Sequence, residues 1–241
     1  MEASNLVRVP LSVPATSATI VVESFLPAFQ ALHAGMNDLE ARHSPSSLKD
    51  SAILIFGGIT SVGQAMIELA LLFGASKVYS TGLVKHHDLL ESLGATPLGV
   101  DQNEWLPPVR DQIDVVVDPY STEPTDQLRQ AIKTGGKIVC FGVDKGEEKA
   151  LDGWFSRLFV AEEGKCENEF NFDVFDEWEN NLERSKSDLS YLFGLLKTDK
   201  IEPQVARTLK LSKVPDAHFY LDGRRRVQGT FVCVPWAVRQ P

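Results

Sequence analysis

Short apolar runs alternate with amphipathic helical patterns through the middle of this sequence, and that alternation limits the folds open to it. Residues 52–56 (AILIF) form a continuous apolar run, as expected for a strand buried on both faces. A glycine-containing turn follows, and then a helical pattern over residues 62–73 that ends at Gly74. Further strand patterns lie at residues 77–80, 96–100, 114–118 and 137–141. Strands that alternate with helices indicate βαβ units and a parallel sheet.

The predicted fold is a doubly wound α/β domain, the Rossmann fold, over residues 48–198, with strand order 3-2-1-4-5-6. A sixth strand is predicted near residues 165–172, and residues 227–235 alternate like a last strand. Upstream of the domain, a helical pattern covers residues 25–33. The polar stretch at residues 37–50 indicates a linker or an exposed loop.

The overall charge argues against several classes of function. The chain of 241 residues carries 24 Lys and Arg against 33 Asp and Glu, a formal net charge of −9 at pH 7. A net acidic surface is unfavourable for non-specific binding to nucleic acid or to an anionic membrane. We therefore expect a small-molecule partner and no nucleic-acid partner. With 43% apolar residues, the chain has enough hydrophobic surface to fold, which excludes disorder over most of its length.

Cysteine usage and the N-terminal sequence predict a cytoplasmic protein. Cys140, Cys166 and Cys233 are an odd number, far apart and without a Cys-x-x-Cys pair, which argues against a disulfide framework or a structural zinc site. The first residues lack the basic start and apolar core of a signal peptide. No run approaches the ~18–20 uninterrupted apolar residues of a membrane helix, so no membrane partner is expected. The five histidines are scattered, and we predict no metal.

The turn after the first strand is the motif that carries chemistry. Its sequence is GGITSVG (residues 57–63), and at the start of a βαβ run such a turn binds the pyrophosphate of a dinucleotide. Thr60 stands where the Gly-x-Gly-x-x-Gly pattern has its second glycine, and its hydroxyl, or that of Ser61, would either donate to a phosphate or crowd it out. A plain strand-to-helix turn that needs glycine for its geometry would give the same pattern. The candidate binding residues are Gly58, Thr60, Ser61, Val62 and Gly63.

The end of the second strand indicates which dinucleotide is bound. NAD-binding sites usually have Asp or Glu there to hold the ribose 2′-hydroxyl. Here the strand ends at Ser80 and Thr81 without an acid, and Lys85 and His86 follow. An uncharged strand end with nearby cations suits a 2′-phosphate, so we predict NADP(H), bound by Thr81, Lys85 and His86. A solvated start of the next helix would explain the same charges, and Asp88 in that helix weakens the case for an anion.

The sequence resembles the medium-chain dehydrogenases/reductases. The resemblance runs from residue 10 to residue 236 and rests on the order and spacing of short segments: ILIFGGITSVGQAMIELA at residues 53–70, then FGASKVYSTG, LLESLGATPL, IDVVVDPYS, GGKIVCFG, KIEP, PDAH and QGTFV. Within that superfamily it looks most like the zinc-independent quinone oxidoreductase type. The resemblance implies an enzyme that transfers a hydride from NADPH to a conjugated carbonyl, in a quinone or an enone, without a metal.

The resemblance also implies a division of the chain into segments. Members of the superfamily begin with a GroES-like substrate domain, and this sequence enters near the end of it, so that most of that domain is missing. Residues 1–47 are then an N-terminal arm left from the substrate domain, and residues 48–198 are the NAD(P)-binding Rossmann domain. Residues 199–241 return to the remnant of the substrate domain. Relatives are commonly homodimers, so we expect a homodimer joined through residues 139–172.

Further candidate site residues follow from the resemblance and from the predicted sheet. Phe29 falls where the family often has a tyrosine near the nicotinamide, although one more core aromatic is the other interpretation. Tyr120 follows the fourth strand, and three residues follow the fifth, at the carboxyl edge of the sheet where ligands bind. Those three are Phe141, Gly142 and Val143. No residue is a convincing acid or base, so the sequence assigns no catalytic residue.

Two other functions remain open. One is a non-catalytic dinucleotide-binding protein, a truncated relative whose site senses the dinucleotide or merely stabilises the protein by binding it. The other is an α/β methyltransferase, since such enzymes share a glycine turn after the first strand. That hypothesis predicts an acid at the end of the second strand, which Ser80 and Thr81 do not supply.

Overall fold

The computed structural model describes residues 6–36, 38–119, 125–141, 169–172, 174–222 and 229–235. Six strands among these residues form one sheet: β1 (Ala52–Ile55), β2 (Lys77–Thr81), β3 (Thr96–Leu98), β4 (Ile113–Asp118), β5 (Ile132–Phe141) and β6 (Glu169–Phe172). Their order is β3-β2-β1-β4-β5-β6, and each neighbouring pair is parallel. The doubly wound fold and the strand order predicted from the sequence are therefore confirmed.

Helices precede and connect these strands. Helix α1 (Ala15–Leu32) comes first, and α2 (Leu39–Arg42) leads towards β1. The later helices are α3 (Ser61–Leu72), α4 (His87–Ser92), α5 (Gln102–Trp105), α6 (Thr125–Leu128), α7 (Val174–Asn180), α8 (Leu182–Lys197) and α9 (Val214–Asp222). Strands β7 (Val205–Leu209) and β8 (Thr230–Cys233) pair in parallel as a separate two-stranded sheet.

The side chains of the central strands alternate between two hydrophobic clusters. On β1, Ile53 and Ile55 belong to the cluster that also contains residues of α1, α3 and α8. Leu54, between them, belongs to the cluster that contains Trp105. This is the period of two that a strand imposes on its side chains, so the two clusters lie on opposite faces of the sheet. Burial on both faces explains the continuous apolar run at residues 52–56.

Helix α1 is part of the first cluster. Val21, Phe25 and Phe29 are each at most 3% exposed. The segment Val21–Phe25 winds as a π-helix just before Pro27, which has no backbone N–H to donate to the helix. By length and composition alone α1 is apolar enough to cross a membrane, but 67% of it is buried inside the structure, as in a core helix. A criterion of uninterrupted apolar residues does not detect it because polar residues interrupt the helix.

The polar stretch at residues 37–50, predicted as a linker or an exposed loop, is exposed in part but also has helical and buried residues. It contains α2, and the Arg42 side chain at the end of that helix is only 3% exposed. Arg42 Nη2 donates to Oδ2 of Asp188 in α8 at 2.7 Å, and Nη1 donates to the carbonyl oxygen of Met36 at 2.8 Å. Nε2 of His43 lies 2.9 Å from Oδ1 of the same Asp188. The buried partner lies 146 positions away in the sequence, which local composition does not reveal.

Candidate functional site

The turn between β1 and α3 is closed by hydrogen bonds of Thr60. Thr60 directly precedes the first residue of α3, and its Oγ1 accepts from the backbone N–H of Gly63 at 3.1 Å. The same hydroxyl donates to the carbonyl oxygen of Gly57 at 2.9 Å. The Thr60 hydroxyl therefore caps the helix as an acceptor and stabilises the turn as a donor. Because its proton is used within the turn, this hydroxyl has none left to donate to a phosphate, whereas crowding of a phosphate by Thr60 stays a prediction.

Gly63 allows the start of α3 to lie against the turn. A Cβ at this position would overlap the carbonyl oxygen of Gly57 and would lie 2.6 Å from Cα of Gly58. Both neighbours are backbone atoms, which cannot rotate out of the way. Gly57 itself has a φ of +70°, a conformation that glycine adopts without strain. The close approach of turn and helix is therefore the reason for these glycines.

Ser80 of β2 holds the other side of the turn, a role that sequence reasoning missed. Its Oγ accepts from the N–H of Gly58 at 3.1 Å and donates to the carbonyl oxygen of Ile55 at 2.9 Å. A side chain at Gly58 would overlap that Oγ. Next to it, Thr81 Oγ1 accepts from the N–H of Gly57 at 3.4 Å. The sequence carries no local signal of this role, because it depends on the register that places Ser80 beside Ile55 of β1.

The first two N–H groups of α3 have the properties of an anion site. No described residue accepts a hydrogen bond from the N–H of Ser61 or Val62, whereas the N–H groups of Thr60 and Gly63 are bonded within the turn. Unsatisfied N–H groups at the start of a 12-residue helix carry partial positive charge, to which the helix dipole adds. Such a helix terminus binds phosphate. The structure thus brings Gly58 and these four residues together in one turn.

Ser61 also contacts the two-stranded sheet. Thr230, the first residue of β8, donates from Oγ1 to Ser61 Oγ at 3.0 Å. Both side chains are half-buried. They line a cleft of about 470 Å³ between α3 and the segment around β7 and β8. The sequence gives no local sign of this contact, because the two residues are 169 positions apart.

The residues expected to bind a 2′-phosphate lie at and beyond the end of β2. Thr81 is the last residue of the strand and is 6% exposed. Lys85 and His86 belong to the one-turn 3₁₀ helix Val84–His86, where Lys85 is exposed and His86 is half-buried. Residues 77–87 contain no acid. The end of this strand therefore offers no carboxylate to a ribose hydroxyl, and a lysine follows within four residues of Thr81.

Phe29 does not lie at the turn. Its side chain is fully buried, and its ring centroid is 5.5 Å from that of Phe73, which follows the other end of α3. Because α3 has 12 residues, that end is ~18 Å from the turn along the helix axis. The position expected beside a nicotinamide is thus not the position that the structure gives Phe29. The alternative interpretation, a core aromatic, fits.

The other candidates were predicted at the carboxyl edge of β4 and β5. Tyr120, Gly142 and Val143 lie outside the described residues. Phe141 is the last residue of β5, in register with Phe172 at the end of β6. It is therefore at the predicted edge of the sheet, while the contacts of its three companions stay predictions.

No metal-binding group of three or more His, Cys, Asp or Glu side chains occurs among the described residues. His33, the most buried histidine, has both ring nitrogens occupied: Nδ1 lies 2.8 Å from the carbonyl oxygen of Phe29, and Nε2 lies 2.8 Å from Ser47 Oγ. Burial lowers the pKa of His33 to about 3, and the charges of Arg42 and Lys137 act in the same direction. This histidine is a neutral part of the core.

Comparison with known proteins agrees with the fold. A model of the family described as zinc-binding dehydrogenase matches residues 93–230, more than half of the chain. The chain belongs to this family. This membership agrees with the resemblance to the medium-chain dehydrogenases/reductases.

Two curated proteins illustrate the similarity of this zinc-binding dehydrogenase family member to enzymes of known activity. It is 39% identical over 90 residues to 2-methylene-furan-3-one reductase from Solanum lycopersicum, an alignment that covers 36% of this chain and 22% of that protein. It is 38% identical over 90 residues to the chloroplastic NADPH-dependent alkenal/one oxidoreductase of Arabidopsis thaliana, again covering 36% and 22%. The alignment thus spans about a fifth of each relative.

Among solved structures, the apo form of JamJ enoyl reductase matches 97% of this dehydrogenase family member with a TM-score of 0.72. At 17% identity the match shows the fold alone, and it covers 67% of the JamJ chain. The family description mentions zinc, but the described residues contain no group of ligands that fits it.

Proposed function

We propose that this protein is an NADPH-dependent oxidoreductase of the quinone and enone reductase type, which transfers a hydride to a conjugated carbonyl without a metal. The observation that carries the proposal is the start of α3, where the N–H groups of Ser61 and Val62 have no acceptor among the described residues. The pyrophosphate of a dinucleotide suits this position. The names of the two curated relatives, a methylene-furanone reductase and an NADPH-dependent alkenal/one oxidoreductase, support the substrate class and the cofactor.

The chain's own residues bind and orient the cofactor. Ser61 and Val62 donate to the pyrophosphate, and Gly63 lets the start of α3 lie against the turn that presents these donors. When bound, NADPH supplies the hydride. Fixing the cofactor against the carboxyl edge of the sheet places its reactive end in one orientation, which is a large part of what such an enzyme contributes to the rate. Among the described residues we assign no general acid or base.

The preference for NADPH over NADH rests on the segment after β2. A carboxylate there would hold the ribose hydroxyls of NADH and repel a 2′-phosphate, and residues 77–87 contain none. Lys85 and His86 supply positive charge or hydrogen-bond donors in its place. The absence of an acid also counts against the methyltransferase hypothesis, and membership of a dehydrogenase family removes its remaining support.

A titration with NADPH, followed by nicotinamide fluorescence with and without a simple quinone, tests the proposal. We expect saturable binding of NADPH, and loss of its fluorescence through oxidation when a quinone or an enone is added. Binding without oxidation across a panel of quinones and enones would contradict the enzymatic part and favour a non-catalytic dinucleotide-binding protein. Failure to bind either NADPH or NADH would contradict both.

We also propose that the protein is a homodimer joined through residues 139–172. Strand β6 lies at one edge of the sheet, and an edge strand offers unpaired N–H and C=O groups to a second strand. A two-fold axis beside β6 would pair the same strand of both subunits. Sedimentation measures the assembly, and a monomer at tens of micromolar would contradict this proposal.

A further inference from the structure

Ser61 has two hydrogen-bond donors, its hydroxyl proton and its backbone N–H, that are not used by any described residue. Its Oγ accepts from Thr230 Oγ1 at 3.0 Å. A hydroxyl that accepts one hydrogen bond still has its own proton to donate. No described residue accepts that proton, or the backbone N–H of the same residue. Both donors therefore belong to the start of α3, where the dinucleotide site has been proposed.

We propose that Thr230 is a positioning residue for this site, which acts through Ser61 on the pyrophosphate of the cofactor. Thr230 donates its proton to Ser61 Oγ, so the Ser61 proton must point to another acceptor, and the phosphate oxygen at the helix start is that acceptor. The hydrogen bonds then run in one direction, from Thr230 to Ser61 to phosphate, and each polarises the next. The inference rests on the proposed function, since the last acceptor belongs to NADPH.

The backbone around Thr230 is fixed without help from Ser61. The N–H of Thr230 donates to the carbonyl oxygen of Gln204 at 2.8 Å. Gly229 before it has a φ of +89°, and a Cβ there would overlap the same carbonyl oxygen. The segment that contains Gln204 is itself bonded to α3, because the N–H of Glu202 donates to Glu68 Oε1 at 2.7 Å. The Thr230 hydroxyl is thus held in place before any ligand arrives.

The consequence is a link between the two-stranded sheet and the cofactor site. A contact that orients a phosphate donor is strengthened when the phosphate is present, and the coupling between the two is reciprocal. Thr230 therefore contributes to cofactor affinity although it does not itself touch the cofactor. A purely structural threonine in β8 would affect folding and leave the Ser61 donor unchanged.

The test is a cycle of four proteins: the parent, Ser61→Ala, Thr230→Val and the double variant, each titrated with NADPH. Loss of the Ser61 donor should weaken NADPH binding about five- to tenfold, and Thr230→Val about three- to fivefold, as partly exposed hydrogen bonds to a charged group do. In the Ser61→Ala background, Thr230→Val should add nothing, because the residue through which it acts is gone. Thr230→Ser keeps the hydroxyl and should restore the parent affinity.

Adenosine 2′-phosphate has no pyrophosphate, so its binding distinguishes the two roles of Thr230. Structural damage would weaken its binding, whereas loss of a pyrophosphate contact would not. It should bind the parent and Thr230→Val proteins equally. The inference is overturned if Thr230→Val has no effect in the parent, if its effect persists in the Ser61→Ala background, or if adenosine 2′-phosphate binding falls with it. A parent protein that binds no NADPH would instead overturn the proposed function and this inference together.

Discussion

Lys85 is the residue that should distinguish the two nicotinamide cofactors. It is exposed in the 3₁₀ helix after β2. The part of the cofactor that it is expected to contact is the 2′-phosphate. Lys85→Ala should weaken NADPH binding roughly 5- to 150-fold, the range of one charge-assisted hydrogen bond, and leave NADH binding nearly unchanged. Parallel fluorescence titrations with the two cofactors measure this, and added salt should reduce the difference.

Lys49→Ala is the matched control for that substitution. Lys49 is also exposed, but it lies beside Gly74, beyond the far end of α3 from the turn. Its loss should change the affinity for neither cofactor. If Lys85→Ala lowers both affinities equally, or neither, the assignment of the 2′-phosphate site is wrong.

Gly63 tests the turn itself. In Gly63→Ala the new Cβ meets backbone atoms of Gly57 and Gly58, so the helix must move away from the turn. Binding of NADPH and NADH should weaken alike, and the free energy of unfolding should fall by about 1–3 kcal/mol. Gly194→Ala in α8 is the control, since nothing lies within 4 Å of a Cβ there and alanine favours the helix. Equal effects of the two substitutions would contradict this account of the turn.

The sequence reveals some of these residues and not others. The glycine turn was predictable because the need for glycine is local: a strand, a tight turn and a helix follow one another within a dozen residues. Ser80 and Thr230 were not predictable as site residues, because their partners in the turn lie 22 and 169 positions away. Phe29 was misplaced by analogy, since its position depends on how α1 packs along α3.

The buried ion pair of Arg42 and Asp188 joins helices α2 and α8. Removal of one partner leaves an uncompensated charge in the interior, which costs several kcal/mol. Asp188→Asn should therefore lower the free energy of unfolding by about 3–5 kcal/mol in a denaturant titration. Glu183→Gln on the same helix is the control, because its pair with Lys186 is on the surface and should contribute less than about 0.5 kcal/mol. A similar loss in both variants would show that burial of the pair is not what matters.

His33, the buried residue that follows α1, should make the free energy of unfolding depend on pH. Burial, and to a smaller extent the charges of Arg42, Lys137 and His43, lowers its pKa to about 3. Between pH 3 and the unperturbed value of about 6.5, the unfolded chain binds a proton that the folded chain does not. Above pH 6.5, His33 should therefore leave the free energy of unfolding unchanged. As the pH falls below 6.5, the free energy of unfolding should decrease by up to about 1.4 kcal/mol per pH unit from this group.

Unfolding measured between pH 4 and pH 7 checks the role of His33. His33→Gln should remove that part of the slope, whatever it does to the absolute stability. An unaltered slope in His33→Gln would mean that His33 is protonated in the folded protein.

The helices show where local pattern fails. The predicted helix at residues 25–33 overlaps the last part of α1, which begins at Ala15. The π-helical segment Val21–Phe25 changes the number of residues per turn, so the buried face before it is out of phase with the buried face after it. A search at α-helical period therefore finds the second part and misses the first.

For the molecule as a whole, burial of the sheet on both faces made the fold predictable. Each central strand is a nearly continuous apolar run separated from the next by a helical pattern, and few topologies satisfy that alternation. The packing of the chain ends was not predictable in the same way. Helix α1 shares one hydrophobic cluster with β1, α3 and α8, and that arrangement depends on contacts between distant segments.

The central claim, that a nicotinamide dinucleotide binds at the start of α3, is tested most directly by backbone amide NMR. The measurement is a titration of the isotope-labelled protein with NADPH. We expect the amide signals of Ser61, Val62 and Gly63 to shift among the most strongly, together with that of Lys85, whereas the signal of Gly194 should stay in place. Saturation with no change at Ser61 and Val62, or shifts confined to residues remote from the turn, would contradict the claim.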